Sequence, residues 1–283
     1  MKNNQDQHFY RAEKVTDHID AIRSLTGEIM YLIHGSSRAL LVDTCLGVGN
    51  LKKAVDRMTG LPYDVVITHG HVDHALGAPL FDGDHVFMNS RDISIYDLNR
   101  PLEKREGYIE ANLGAAPGSW KDAEYVPSMP YHGRDLPDGT VFDLGGIHAE
   151  IYSLAGHTPG TSVVLIPEER ILITGDAANT ATFVFDEYAL TLKEYRQNVI
   201  RIRDLLRGRY DRCFLMHYDM EASGQLLDNI LLVIDDIFAG DTDDVPFEFM
   251  GGSYLLAKAA GEHMKRLDGG EGNIIYNRNK LGI

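Results

Sequence analysis

The sequence predicts an α/β fold. Short apolar, often β-branched runs alternate with segments whose apolar residues recur at helical spacing, and four of the runs end in a side chain able to bind a metal. The composition agrees: 44% hydrophobic and 24% charged residues over 283 positions is ordinary for a folded globular chain and rules out wholesale disorder.

Taken in order, Ile29–His34 and Arg38–Asp43 are apolar runs split by Gly35-Ser36-Ser37, which predicts a hairpin. Asn50–Met58 places Leu51, Ala54, Val55 and Met58 on one helical face, and Gly60 ends it. Asp64–Thr68 is a β-branched strand, and Ser90–Asn99 is expected to be helical. Residues 100–133 hold four prolines and the single Trp120, the signature of an irregular or helical insertion. Short strands are expected at Arg134–Leu136 and Thr140–Leu144 around an Asp138-Gly139 turn, then at Ile147–Leu154, Ser162–Ile166 and Arg170–Thr174. Thr191–Arg207 and Glu221–Phe238 read as amphipathic helices flanking a strand at Arg212–Met216. In the C-terminal extension, residues 240–283, Tyr254–Lys265 reads as helical and Asn273–Tyr276 as a strand. No repeat or linker marks a boundary, so a single domain over 1–283 is expected.

The formal charge of −15 opposes binding to nucleic acid, and no basic run offsets it. No apolar run approaches the ~20 residues of a membrane span. The first fifteen residues lack the apolar core of a secretory signal, and two cysteines cannot form a disulfide framework. A cytoplasmic protein acting on a small molecule is the expectation, with homodimerisation possible.

The chemistry concentrates in Thr68-His69-Gly70-His71-Val72-Asp73-His74, where four potential ligands fall within six residues. Imidazole nitrogen and carboxylate oxygen are donors that zinc accepts at about 2.0–2.2 Å. Alternate residues of an extended turn point the same way, so His69 and His71 can grip one ion while Asp73 and His74 face a second. Gly70 lets the backbone bend. Three further candidates follow strands: His157 in Gly156-His157-Thr158-Pro159-Gly160, Asp176 after Gly175, and His217 after Met216. Since ligands bind outside the carboxyl ends of strands in open α/β sheets, the four strand ends are expected to converge.

This ordered series, over roughly residues 25–220, resembles the metallo-β-lactamase-fold superfamily of metallohydrolases. The resemblance implies a four-layer αββα sandwich. It implies that His69, His71 and His157 hold one zinc, that Asp73, His74 and His217 hold another, and that Asp176 bridges them. It also implies that Asp73 moves a proton during turnover and that Asp43, in Leu41-Val42-Asp43-Thr44, supports the ligands from behind. Iron or manganese suits such donors too. With neutral imidazoles and two charged carboxylates, a pair of divalent ions keeps about +2, favouring a bridging hydroxide and developing oxyanions. Hydrolysis of an ester, thioester, lactone or amide in a small molecule follows.

Asp176 stands where true β-lactamases carry Cys or Ser, so the chain is more similar to the glyoxalase II, lactonase and phosphodiesterase branches. Thr161 replaces a glyoxalase II His, and Ala177-Ala178-Asn179-Thr180 lacks the Tyr of certain lactonases. A phosphodiesterase, a mononuclear-iron sulfur dioxygenase and a non-catalytic binding or sensing protein are the alternatives. His34, His85 and His148 are expected to be structural. Tyr131 and His132 are better candidates for substrate contact, Trp120 is balanced between lining a lid and packing a satellite core, Tyr218 is balanced between substrate and interior, and Cys45 is expected to be buried and inert.

Overall fold

The computed structural model describes residues 9–113 and 125–282. It divides between Ala149 and Glu150 into two compact units. No helix among the described residues is long and apolar enough to cross a membrane.

The first unit begins with β1 (Tyr10–Lys14), β2 (Ile19–Ser24), β3 (Ile29–His34) and β4 (Ala39–Val42), then α1 (Leu51–Met58), β5 (Tyr63–Ile67) and α2 (Val72–Ala75). It continues with β6 (Val86–Met88), a tight turn at Ser90–Asp92 leading into α3 (Ile93–Asn99), α4 (Leu102–Leu113), β7 (Arg134–Asp135) and β8 (Val141–Asp143). Strands β1 to β7 form one sheet in sequence order. The first four are antiparallel and β4 to β7 are parallel. A parallel pair needs a crossover, and α1 supplies the one between β4 and β5. Asn50 caps it by accepting from the Lys53 amide at 2.9 Å. Leu51 and Val55 bury its inner face among Leu41, Val65 and Ile67. Because β4, β5 and β6 run the same way, the residues that follow them, Asp43, Thr68-His69 and Asn89, emerge at one edge of the sheet. Strand β3 runs oppositely, so the residue before it, Glu28, reaches that same edge.

The division falls within β9 (His148–Ser153). The second unit then contains β10 (Ser162–Ile166), β11 (Ile171–Gly175), β12 (Thr182–Val184), α5 (Leu192–Leu205), β13 (Arg212–Leu215), β14 (Glu221–Ser223), α6 (Leu226–Ala239), β15 (Val245–Phe249), β16 (Gly252–Leu256) and β17 (Ile274–Tyr276). Its main sheet runs β14-β13-β11-β10-β9, and a smaller one runs β12-β17-β16-β15. Strand β10 is antiparallel to both β9 and β11, and β13 is parallel to β11. Strands β9, β11 and β13 therefore share a direction and end at one edge. Helix α5 opens with a reciprocal cap between Thr191 and Glu194. Its Leu192, Tyr195, Val199 and Ile202 pack with α6 and with Leu165, Leu172 and Cys213 of the sheet.

The expected α/β class holds, and most expected elements appear. The structure refines the rest. Strands β1 and β2 precede the first expected element; β1 is exposed at four of its five positions, so it carries no apolar pattern to read. The short strands expected on either side of Asp138-Gly139 are present as β7 and β8, with β7 paired to β6. Residues 221–223 form a strand, because the Phe214↔Glu221 to Arg212↔Ser223 ladder against β13 claims their backbone groups, and the helix starts only at Leu226. Tyr254–Lys265 is not a helix. Its first residues belong to β16, which is hydrogen-bonded to β15 and β17, and periodicity cannot separate a short apolar run in a strand from one in a helix. Trp120 lies outside the described residues.

Candidate metal centre

In the first unit, β5 delivers Thr68 and His69 to the sheet edge, and the chain turns at Gly70 into α2, whose N-terminal boundary is His71. Gly70 suits this turn on steric grounds: a Cβ there would sit 2.6 Å from the Asp92 carbonyl oxygen, so any side chain forces a shift. Its N–H donates to the buried Asp92 carboxylate at 2.9 Å, pinning the turn to the start of α3. The rings of His69 and His71 lie 4.9 Å apart and those of His69 and His74 lie 4.1 Å apart. The donor atoms of His69 and His71 lie within 4.8 Å of each other, as do those of Asp73 and His74.

The histidines are oriented from behind. Asp43, buried and with φ of 66°, accepts the Thr68 N–H at 2.6 Å on Oδ1. On Oδ2 it receives the Thr68 hydroxyl at 2.8 Å and His74 Nδ1 at 2.5 Å. An ionised carboxylate only accepts, so His74 carries its proton on Nδ1. The Thr68 hydroxyl spends its one proton on Asp43, so at its 3.1 Å contact with His69 Nδ1 it accepts. His69 is thereby also held with the proton on Nδ1. Both rings present the lone pair of Nε2, the arrangement of metal-binding histidines.

In the second unit, the ends of β9, β11 and β13 bring up His157, Asp176 and His217. Gly156 precedes His157 because a Cβ there would meet the buried Tyr195 ring at 2.0 Å. His157 Nδ1 donates to the Phe183 carbonyl at 2.7 Å, so its Nε2 also offers a lone pair. Asp176 sends Oδ2 to within 3.7 Å of His157 Nε2 and Oδ1 to within 3.4 Å of His217 Nε2. In the first unit, His74 Nε2 stands 3.5 Å from Asp73 Oδ2. Two donors on one tetrahedral zinc at about 2.0–2.1 Å stand roughly 3.3 Å apart, so all three pairs have the spacing of shared ligands. The donor set fits divalent ions by chemistry and by spacing.

All seven residues expected from the sequence thus lie at the sheet edges of their own units, His69, His71, Asp73 and His74 in one and His157, Asp176 and His217 in the other. Two participants escaped sequence reading. Glu28, buried at the start of β3, faces Tyr108 of α4, whose hydroxyl also reaches Asp73. No motif marks either; the spacing of Arg105, Tyr108, Ile109 and Asn112 along one helical face was the available signal. The Cys45 thiol is buried, faces Glu28 at 3.6 Å, and burial pushes its pKa well above the ordinary value, as expected of an inert thiol. His34, His85 and His148 pair with Asp20, Asp64 and Asp143. His132 contacts the Phe81 carbonyl and Tyr131 donates to the Arg134 carbonyl. Tyr218 is 47% exposed and stacks on His263.

The family model of the metallo-beta-lactamase superfamily matches residues 29–270. The chain belongs to this superfamily and is a metal-dependent hydrolase. Among curated proteins it is similar to the acyl-coenzyme A thioesterase MBLAC2 of Gallus gallus, 24% identical over 214 residues, covering 70% of this chain and 74% of that one. The Homo sapiens counterpart is 21% identical, with coverage of 67% and 72%. Among solved structures, the metallo-beta-lactamase from Pontibacter korlensis matches with a TM-score of 0.58 at 17% identity, covering 80% of this chain and 99% of that one. The sec-alkylsulfatase Pisa1 from Pseudomonas sp. matches with a TM-score of 0.62 at 19% identity, covering 83% and 43%. These structural likenesses carry the fold.

Proposed function

We propose that the two ligand sets act together as a dinuclear zinc centre that hydrolyses an ester or thioester of an apolar acyl group. In this reading His69, His71 and His157 would hold one ion, Asp73, His74 and His217 the other, and Asp176 would serve both. The observation that carries it is the tautomer lock: Thr68, Asp43 and the Phe183 carbonyl each occupy an Nδ1, leaving Nε2 of His69, His74 and His157 for metal. When bound, the ions would polarise the substrate carbonyl and lower the pKa of water toward neutrality.

The chain's own residues supply the rest. Asp73 takes the proton lost by water as its oxygen bonds to the carbonyl carbon, then returns it to the sulfur or oxygen leaving as the acyl bond breaks. Asp176 has one oxygen near Nε2 of each neighbouring histidine, so one carboxylate could serve an ion at each. The apolar acyl group is argued from the second unit. Phe183, whose carbonyl anchors His157, packs against Phe185, Phe247 and Phe249 at centroid distances of 5.0, 5.9 and 5.2 Å. Phe183, Phe247 and Phe249 are only half-buried, so this aromatic face retains apolar surface beside the ligand. The similarity to acyl-coenzyme A thioesterases points the same way.

The test is a screen of metal-stripped and zinc-reconstituted protein against acyl thioesters, lactones, phosphodiesters and β-lactams. Zinc-dependent turnover of thioesters, rising with acyl length, is expected. Full activity after stripping, or turnover confined to phosphodiesters, would refute the reading.

A further inference from the structure

The insertion after α3 presents α4 to the first unit's ligand turn, and the helix is firmly placed. Arg105 is buried; its guanidinium donates to the Val126 carbonyl at 2.7 Å and the Gly47 carbonyl at 3.4 Å, and lies 5.8 Å from the Tyr125 ring. Ile109 is buried in the core. Between these anchors, one helical turn holds Tyr108 with its hydroxyl 2.8 Å from Asp73 Oδ2 and 3.0 Å from Glu28 Oε1.

Glu28 is itself fixed. Its Oε2 accepts from the hydroxyls of Ser24 and Thr26 and faces the Cys45 thiol. A buried side chain with this many partners has one orientation, so Glu28 fixes where the phenol oxygen sits, and the phenol's single proton points to the nearer oxygen, Asp73 Oδ2. The oxygen that Tyr108 grips on Asp73, Oδ2, is the one 3.5 Å from His74 Nε2. A carboxylate oxygen has two lone pairs. If one serves the ion shared with His74, the other is the one the phenol takes.

We infer that Tyr108 is a positioning residue for Asp73, clamping the ligating oxygen by its one hydrogen bond, with Glu28 fixing the place of the phenol. The inference rests on the metal-centre reading above. A free aspartate at the first turn of a four-residue helix can rotate about two side-chain bonds; with Oδ2 held from behind, the ligating geometry is set before an ion arrives. The chain thus uses its insertion to complete the ligand shell rather than only to cover the site.

The experiment is zinc titration of the full-length protein, metal-stripped, in competition with a chromophoric chelator, alongside Tyr108→Phe and Glu28→Gln. Wild type is expected to bind two ions. Tyr108→Phe should bind one of them about 10- to 100-fold more weakly, the usual effect of removing a partner of a ligating group, and leave the other unchanged. Urea unfolding of the metal-free forms reads any purely structural effect separately. Glu28→Gln can turn its new N–H toward the phenol oxygen, which leaves the phenol's single proton for Asp73, so affinity at least near wild type is expected. Equal affinities in wild type and Tyr108→Phe would overturn the inference alone. So would a tenfold loss in Glu28→Gln, whether or not the Phe variant folds, because it would assign the effect to the Glu28 charge. Failure of wild type to bind zinc would instead bring down the metal-centre reading and the inference with it.

Discussion

Asp43→Asn isolates the orienting role of one carboxylate. The substitution preserves shape, and Asn tolerates the left-handed backbone at φ of 66° as Asp does, so neither packing nor backbone strain changes. What changes is the hydrogen-bond count. Asp43 accepts three bonds, from the Thr68 N–H, the Thr68 hydroxyl and His74 Nδ1. Asn has one accepting oxygen and one donating nitrogen. With its nitrogen toward Thr68 N–H, two donors face each other in a buried site. With its nitrogen toward His74, that ring must move its proton to Nε2 to accept, which blocks its ligating nitrogen. Losing a hydrogen bond to a charged group costs about 1.5–3 kcal/mol, and an unsatisfied buried donor about 1–3 kcal/mol. The metal-free variant should therefore lose roughly 3–5 kcal/mol by urea unfolding, if both terms apply in full. Zinc affinity should fall about 10- to 100-fold. Unfolding midpoint and zinc affinity both matching the parent would refute the tautomer argument.

Gly70→Ala should cost about 1–3 kcal/mol and weaken zinc binding, because the new methyl meets the Asp92 main chain, which cannot rotate away; calorimetry and metal titration read both. Cys45 and Cys213 should resist a thiol reagent in the native state and react only after denaturant is added, since both are fully buried and burial raises both thiol pKa values. Alkaline stability is set partly by Tyr96 and Tyr276, whose phenols burial pushes up to about 12. The native state then keeps protons that the unfolded chain releases above its ordinary value near 10, so stability is intact below that value and falls as pH rises to about 12, by roughly 2 kcal/mol per ring. An unfolding free energy that did not fall between the ordinary value and about pH 12 would contradict this.

All seven candidate ligands were legible in the sequence because metal chemistry restricts residue type, and strand-to-turn junctions restrict place. His69, His71, Asp73 and His74 sit in one turn, so their proximity is written in the chain. The long helices and central strands were legible because their faces are buried and so carry a period. Elements without that imprint were not: β1 is exposed, and the end of β16, Tyr254–Leu256, is a short apolar run that only its neighbours on both sides turn into a strand. The tertiary structure alone decided which nitrogen each histidine offers, since that depends on partners such as Thr68 for His69 and the Phe183 carbonyl for His157. It alone joined Glu28, Tyr108 and Asp73, residues up to 80 positions apart in the chain. A hydrogen bond acts over about 3 Å and leaves no mark on local composition, so only the folded backbone, by bringing strand ends and a helix to one edge, could show it.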